Sequence, residues 1–465
     1  MCALKGEKLV TTLPLFSKAE DMKAQYDYLI IGADAAGNSA VGQIRRNDKS
    51  GTIGILEKTE IISYGACGLP YAISGSVKSF DDLIHFDGPT FGEKTKSDVL
   101  LRHEAIAVDT ARKTVKFRSA DAEGEIGYGR LMIGTGAPAI RLPFVDYSSS
   151  RIFELKTVPD GRAIQQFIQE NGAKKAAIIG AGYIGLEAAE SFREMGLEVT
   201  IFEALERPVP RLPESLSKSI VSQMKEHGIE FKPHSKVHAV KDTGSSIELS
   251  TEAGSETFDF LLVAVGVRPA TQFLEGSGIE MQKGAIVVDQ YGQTNVEDVY
   301  SGGDCALAYH KLLRKPVYYP LGHTANKQGR IAGMNMSGQH IAFPGIVGTQ
   351  VFKFFDRAYG LTGLSAQEAQ EAGYDFEETS AMRPSRAGYY PGSDKVKMTL
   401  LLDKKDGTLL GAAMFGPLDS YGLIDAASAL VNMKAKADEI AWMDFAYAPP
   451  FAPVWNALIS AAGKS

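Results

Sequence analysis

The residue best placed for redox chemistry is Cys67, in Ser63-Tyr64-Gly65-Ala66-Cys67-Gly68-Leu69-Pro70-Tyr71. It lies in a turn between glycines, and Tyr71, Ala72 and Ile73 follow where a second cysteine would stand. A thiol with no neighbouring thiol accepts electrons only after bonding to something. That partner is an oxygen (sulfenate), a sulfur (persulfide) or an outside thiol (mixed disulfide), which gives three substrate types. Cys305 directly follows Asp304 and reads as a small packing residue, and Cys2 falls in a stretch without motifs. Three cysteines this far apart build neither a disulfide scaffold nor a Cys-rich metal site, and they fit a reducing cytoplasm. The eight histidines, His310 and His323 among them, show no metal-ligand spacing, so no metal is expected.

The elements that must position this thiol come from one device used twice. An apolar strand, a Gly-rich turn and a small-residue helix run through Tyr26-Asp27-Tyr28-Leu29-Ile30-Ile31-Gly32-Ala33-Asp34-Ala35-Ala36-Gly37, and a second strand, Thr52 to Leu56, ends at Glu57. The pattern returns in Lys175-Ala176-Ala177-Ile178-Ile179-Gly180-Ala181-Gly182-Tyr183-Ile184-Gly185-Leu186-Glu187, with the strand Glu198 to Phe202 closed by Glu203. Both read as dinucleotide-binding βαβ units. Glycines let the backbone approach a pyrophosphate, the helix N-terminus faces it, and the terminal acid accepts from a ribose hydroxyl. The acid follows each turn by about 20 residues, and two such units are a far stronger signal than one. Asp34 stands at the middle-glycine position of the first copy. It is expected to point away from the pyrophosphate and to act as a helix N-cap.

Composition sets the outer limits. The 465 residues are 44% hydrophobic, 23% charged and 9% aromatic, which at roughly 150 residues per domain is about three domains or one large enzyme. With 49 Lys+Arg against 56 Asp+Glu the net charge is -7, and no basic run invites nucleic acid. No stretch reaches the roughly 18 apolar residues needed to span a bilayer, and residues 1–25 form a loose extension rather than a signal peptide. A cytoplasmic protein with no membrane partner is expected.

Three strand-to-glycine segments complete the pattern: Leu131-Met132-Ile133-Gly134-Thr135-Gly136-Ala137-Pro138, Leu262-Val263-Ala264-Val265-Gly266-Val267-Arg268-Pro269, and Thr294 to Asp304, which ends in a Gly-Gly-Asp turn placing an acid where a helix begins. Together with the two turns they resemble the two-dinucleotide flavoprotein disulfide reductases, from Tyr26 to Ala461. The resemblance implies an α/β fold with two Rossmann-like dinucleotide-binding domains (glutathione reductase-like) and a C-terminal α+β dimerisation domain. It divides the chain into an extension (1–25), an FAD-binding part (26–153), an NAD(P)H-binding domain (154–271), a second FAD-binding part (272–343) and a dimerisation domain (344–465). It assigns FAD to Gly32, Ala36, Gly37, Glu57, Lys58, Thr135, Gly136, Gly303 and Asp304, and a nicotinamide nucleotide to Gly180, Gly182, Tyr183, Ile184, Gly185, Glu187, Glu203 and Gly266. Glu203 favours NADH because its charge repels the 2′-phosphate of NADPH, and NADPH stays open because Arg207 can swing toward that phosphate.

The surroundings of Cys67 are similar to the single-cysteine branch of that family: coenzyme A disulfide reductases, NAD(P)H-dependent persulfide and polysulfide reductases, NADH oxidases and NADH peroxidases. The oxygen- and peroxide-reducing members carry a histidine in the first turn, where this chain has Ala35. Gln43 and Arg46 on the first helix, with Ser63, match the coenzyme A contacts of the family. Tyr447, in Phe445-Ala446-Tyr447-Ala448-Pro449-Pro450-Phe451, and Tyr389 or Tyr390 match tyrosines that reach the cysteine of the other subunit of a homodimer, with Trp442 and Trp455 packing the interface. Lys327 and Arg330 read as a solvated helix face. The expected function is electron transfer from NAD(P)H through FAD to Cys67, reducing coenzyme A disulfide, coenzyme A persulfide or polysulfide as small-molecule substrate. An NADH oxidase working through a Cys67 sulfenate and an NADH-binding redox sensor are the alternatives.

Overall fold

The apolar runs that open each nucleotide unit become the central strands of two parallel sheets. The computed structural model describes residues 22–464, and Cys2 with most of the expected extension lies outside the described residues. Gln25, placed in that extension by the sequence, already belongs to the first strand, Gln25–Ile31. That strand lies between Ile53–Glu57 and Glu123–Ile133, with Ile30 level with Ile55 on one side and Met132 on the other. Asp98–Leu101 extends the sheet beyond Ile53–Glu57, and Thr114–Arg118 and Glu104–Asp109 form its antiparallel flank. Val299–Ser301, from much later in the chain, pairs with Leu131–Ile133. Ile30, Ile55 and Met132 are fully buried, and burying such side chains stabilises a fold by about 1.5–3 kcal/mol each.

The second sheet is wholly parallel: Ile229–Lys232, Glu198–Phe202, Lys175–Ile179, Phe260–Val263 and Ile152–Phe153. Ile152 and Phe153, expected from the sequence at the end of the first FAD-binding part, sit on the edge of this second sheet. A three-stranded antiparallel ribbon, Ala239–Asp242, Ile247–Thr251 and Gly254–Phe258, accompanies it.

After the helix Gly322–Met336 the chain builds an antiparallel sheet from Gln350–Phe354, Arg357–Gly363, Leu409–Pro417, Lys395–Asp403 and Phe376–Pro384. The helices Gly422–Met433 and Ala457–Ala462 pack on it around Leu400, Met414, Ile424 and Leu458. The helix Gly322–Met336 crosses the first helix, Ala35–Asn47, so closely that a Cβ on Gly329 would lie 2.1 Å from the Ala36 carbonyl oxygen. This crossing presses the late segment onto the first Gly-rich turn. No helix among the described residues is long and apolar enough to cross a membrane.

Candidate functional site

The first turn runs from the strand Gln25–Ile31 into the helix Ala35–Asn47. A Cβ on Gly37 would stand 1.9 Å from the Gly32 carbonyl oxygen, so the turn closes only with glycine there. Glu57 ends the next strand and braces the turn: its Oε2 accepts from Ala33 N at 2.9 Å, and its Oε1 accepts from Thr59 N and Oγ1. Lys58 beside it is exposed. Gly134 backs onto Gly32, Thr135 Oγ1 donates to Ala270 O at 2.8 Å, and Gly136 O accepts from Ala270 N. Gly303 comes close to Ala36 and donates its N–H to Gln328 Oε1 at 3.0 Å.

Two expectations about this turn are corrected. Asp304 starts no helix, because the strand Val299–Ser301 passes into a turn and the next helix begins at Gly322; its carboxylate pairs with Lys156 at 3.2 Å. Asp34 holds the N-cap position but makes no side-chain capping bond. Instead its Oδ1 accepts from Tyr64 N at 3.3 Å, and burial pushes its carboxyl up to about 6. The tight turn, the free N-terminal N–H groups of the helix and the flanking acids at Glu57 and Asp304 suit a dinucleotide, so the residues present fit FAD.

The second turn is built alike but left open. A Cβ on Gly185 would lie 2.1 Å from the Gly180 carbonyl oxygen, whereas one on Gly182 would meet no atom within 4 Å. Gly182 caps the helix Tyr183–Glu194 without a side chain, so a pyrophosphate can approach the helix N-terminus there. Glu203 Oε2 accepts from Ala181 N at 2.8 Å and its Oε1 from Leu205 N at 2.9 Å. The Arg207 guanidinium donates to Leu212 O and Pro210 O, each at 3.0 Å. Tyr183 and Ile184 are half-buried, with the Tyr183 ring 5.0 Å from that of Phe352, and Gly266 O accepts from Ile140 N.

Cys67 lies in the 3-10 turn Ala66–Gly68 that leads into the helix Leu69–Ser74. The loop before it is tied to the first Gly-rich turn at two points, Ser63 N to Ala33 O at 3.1 Å and Tyr64 N to Asp34. The thiol is open to solvent but flanked by protein. Burial pushes it above its ordinary range, the Glu187 charge adds to this, and the Lys156 ammonium opposes it. Glu187 reaches across from the second nucleotide unit to accept from Tyr71 Oη at 2.9 Å. Cys305 is fully buried, its Sγ 3.5 Å from Ile133 O. Among the described residues no His/Cys/Asp/Glu group is arranged to hold a metal ion.

Where the helices Ala35–Asn47 and Gly322–Met336 pack together, the buried Gln43, with its amide oxygen turned toward the arginines, accepts from Arg46 Nη1 at 2.7 Å and Arg330 Nε at 3.1 Å. Arg330, exposed like Lys327, also joins Arg46 in a two-arginine cluster around Gln43. In the C-terminal unit Tyr389 is paired with Tyr447, both exposed, while Tyr390 is held in a turn by Ala387. Among the described residues no hydrogen bond or ring contact joins these tyrosines to Cys67 of their own chain. Trp442 is 82% and Phe451 83% exposed, and the Trp442 and Trp455 rings meet edge to face. Sequence reasoning gave no role to Lys156 or Tyr71, neither of which carries a motif of its own, and set Arg330 aside as solvated.

Comparison with known proteins gives this geometry a lineage. Residues 26–329 match the pyridine nucleotide-disulphide oxidoreductase family, and residues 349–458 match its dimerisation domain. The chain is 32% identical over 441 residues to a CoA-dependent NAD(P)H sulfur oxidoreductase of Pyrococcus abyssi, covering 94% of this chain and 98% of that protein. It is 31% identical to the coenzyme A disulfide reductase of Staphylococcus haemolyticus, covering 91% and 95% respectively. The solved NAD-dependent persulfide reductase of A. fulgidus superposes with a TM-score of 0.91 at 32% identity, over 94% of this chain and 82% of that one. With its two nucleotide turns and its C-terminal sheet matched in one continuous order, the chain belongs to the pyridine nucleotide-disulphide oxidoreductase family, whose members use FAD and NAD(P)H.

Proposed function

We propose that this chain is a reductase of sulfur–sulfur bonds that takes electrons from NADH, uses Cys67 as its single redox thiol, and acts on coenzyme A disulfide, coenzyme A persulfide or polysulfide. The observation that carries the reading is the lone open thiol, set in a loop tied to the FAD-side turn, with the other described cysteine sealed in the core. The names of the relatives support the same substrates.

FAD, when bound, supplies the passage of an electron pair from the nicotinamide to sulfur. The chain does the rest. The Gly182 turn receives the nucleotide pyrophosphate and Glu203 its ribose; with Arg207 held on its own loop carbonyls, the site favours NADH over NADPH. Arg46 and Arg330, gathered on Gln43, offer charge-assisted hydrogen bonds to the phosphates of coenzyme A, and Ser63, in the loop before Cys67, is a further contact to it. Cys67 forms the mixed disulfide or persulfide. In a homodimer with shared active sites, the Tyr389–Tyr447 pair of one subunit serves the other subunit's thiol, and a phenol there donates a hydrogen bond to the departing thiolate and lowers its leaving barrier. The exposed Trp442, Trp455 and Phe451 supply the apolar surface such an assembly buries.

The test is anaerobic NADH oxidation with each of the three sulfur acceptors, against oxygen-saturated buffer. Fast turnover with sulfur and slow turnover with oxygen is the expected result. Oxygen consumption matching NADH use would instead establish an oxidase, and a stable reduced flavin with no turnover a sensor. Replacing Arg46 and Arg330 together by alanine should raise the KM for coenzyme A disulfide relative to polysulfide by about a hundredfold, the scale of two lost charge-assisted bonds.

A further inference from the structure

Glu187, expected from the resemblance to help hold the nicotinamide nucleotide, lies where its helix packs against the helix that follows Cys67, with Lys353 of the C-terminal sheet alongside. It lies on the helix Tyr183–Glu194, and its Oε1 accepts from Tyr71 Oη at 2.9 Å, while its Oε2 has no hydrogen-bond partner among the described residues. Tyr71 follows Cys67 by four residues, one turn further along the same face, because Gly68 and Leu69 already have helical backbone angles. The two helices are pinned together by Ser191 Oγ, which donates to Pro70 O at 2.7 Å. Lys353, from the C-terminal sheet, closes the remaining side: its ammonium pairs with Glu190 and stands 5.9 Å from the centre of the Tyr71 ring. Glu190 has both oxygens engaged, by Lys353 and by Phe355 N. Glu187 keeps one free.

We propose that Glu187, aimed by Tyr71, is the proton-transfer residue for Cys67, taking the thiol proton as sulfur attacks and returning it to the departing thiolate. The inference rests on the reading of Cys67 as the sulfur-reducing thiol. In the first half, Cys67–SH attacks a disulfide RS–SR. The S–S bond breaks, the Cys67–S–S–R bond forms, the thiol proton passes to the Glu187 carboxylate and then to RS⁻, and RSH leaves. In the second half, the electron pair and proton of one hydride equivalent from NADH cleave Cys67–S–S–R to Cys67–SH and RS⁻. Glu187 receives that proton and restores the thiol, and the second RS⁻ takes its proton from solvent. NADH, one proton and RSSR thus become NAD⁺ and two RSH.

The charges around the pair agree with this role. Burial pushes Glu187 up to about 7, with the Tyr71 hydrogen bond and the Lys353 charge pulling the other way. After burial, the charge that most raises the Cys67 thiol is that of Glu187; Asp304 and Asp34 add to it and Lys156 opposes. Glu194 reaches Tyr71 from the same helix as Glu187. The ionisation of Glu187 is therefore felt at the Cys67 thiol, which is harder to deprotonate once the carboxylate is charged.

The experiment follows the rate at which iodoacetamide alkylates Cys67 from about pH 5.5 to about 9.5, in FAD-loaded, NADH-free enzyme carrying Cys2→Ser. The parent enzyme should show two inflections, the lower near 7. Glu187→Gln should show one, shifted down so that alkylation at pH 7.5 is about tenfold faster, and kcat with coenzyme A disulfide should fall roughly a hundredfold and lose its acid limb. Tyr71→Phe removes a donor from the carboxylate and should move the lower inflection upward. A Glu187→Gln profile that overlays the parent overturns the proposal. If that variant fails to hold FAD, an unmoved lower inflection in Tyr71→Phe overturns it equally. Failure of the underlying reading looks different: a Cys67→Ser enzyme with full sulfur turnover removes the thiol assignment whatever Glu187 does.

Discussion

The two Gly-rich turns share their first, second and last residues and part between them, most consequentially at the middle-glycine position. Both end in a glycine whose Cβ would strike the carbonyl of the first glycine of the turn, at 1.9 Å for Gly37 and 2.1 Å for Gly185. Both are braced by an acid that accepts from the second residue of the turn, Glu57 from Ala33 N and Glu203 from Ala181 N. At the middle position, however, Gly182 leaves open space, and Asp34 instead sends a carboxylate to Tyr64 in the loop that presents Cys67. Ser63 N, bonded to Ala33 O, doubles that tie. The first turn is thus mechanically joined to the loop that carries Cys67, and the second is kept clear. This difference suits a resident cofactor on one side and a nucleotide that enters and leaves each cycle on the other.

The largest expected effect separates the two halves outright. Cys67→Ser should reduce sulfur turnover by a thousandfold or more, on the order of the loss when a covalent nucleophile is removed. NADH should still bleach the flavin absorption of that variant, because no residue of the second turn is touched. A variant that no longer accepts electrons from NADH would show that the thiol loop supports both turns, and the contrast between them would fall.

The glycines test the contrast next. Gly185→Ala forces a Cβ against backbone and should destabilise the protein by about 1–3 kcal/mol. Gly182→Ala meets nothing in the folded chain, so its unfolding midpoint should stay within about 0.5 kcal/mol of the parent. The same methyl lies where the pyrophosphate must approach, so the KM for NADH should rise severalfold. Denaturant melts beside NADH titrations read both quantities. Equal destabilisation by the two alanines would mean that the space at Gly182 belongs to packing and not to a ligand.

What could be read in the sequence was local. A strand, a turn and an acid about 20 residues on lie within one βαβ unit, so spacing alone located Gly32, Gly37, Glu57, Gly180, Gly185 and Glu203. The ties that make the site were not local. Tyr71 and Glu187 are 116 residues apart, Lys156 and Asp304 are 148 apart, and Arg46 meets Arg330 only because two distant helices cross at Gly329. No periodicity reports such pairs. The helix expected at Asp304 failed for a related reason. A Gly-Gly-Asp run looks like a helix start, but here the strand Val299–Ser301 is held against Leu131–Ile133 and the chain turns into a short bridge at Ala306 instead. Asp34 was read as a cap because Asp favours that position, and a competing donor, Tyr64 N, took its carboxylate.

The smallest effect concerns Asp34 itself. Burial lifts its carboxyl from the ordinary 3.8 to about 6, with Glu57 and Asp304 adding like charge, and Tyr64 N and Lys156 opposing. Between those two values the folded protein binds more protons than the unfolded chain. The contribution of Asp34 to stability is therefore complete below about pH 3.8 and is lost as pH rises through about 6. Asp34→Asn keeps an oxygen for Tyr64 N and cannot ionise. Its Tm relative to the parent should therefore climb from about pH 4 to about pH 6.5 and then level off. A dinucleotide pyrophosphate drawn to the same turn carries the same sign of charge, so the asparagine variant should also hold FAD a few-fold more tightly near neutral pH. The matching change in the second turn, Gly182→Asp, should weaken NADH binding without creating the tie to Tyr64. If Asp34→Asn instead keeps the parent's pH slope, the carboxyl is not the titrating group, and the two turns differ in tethering alone.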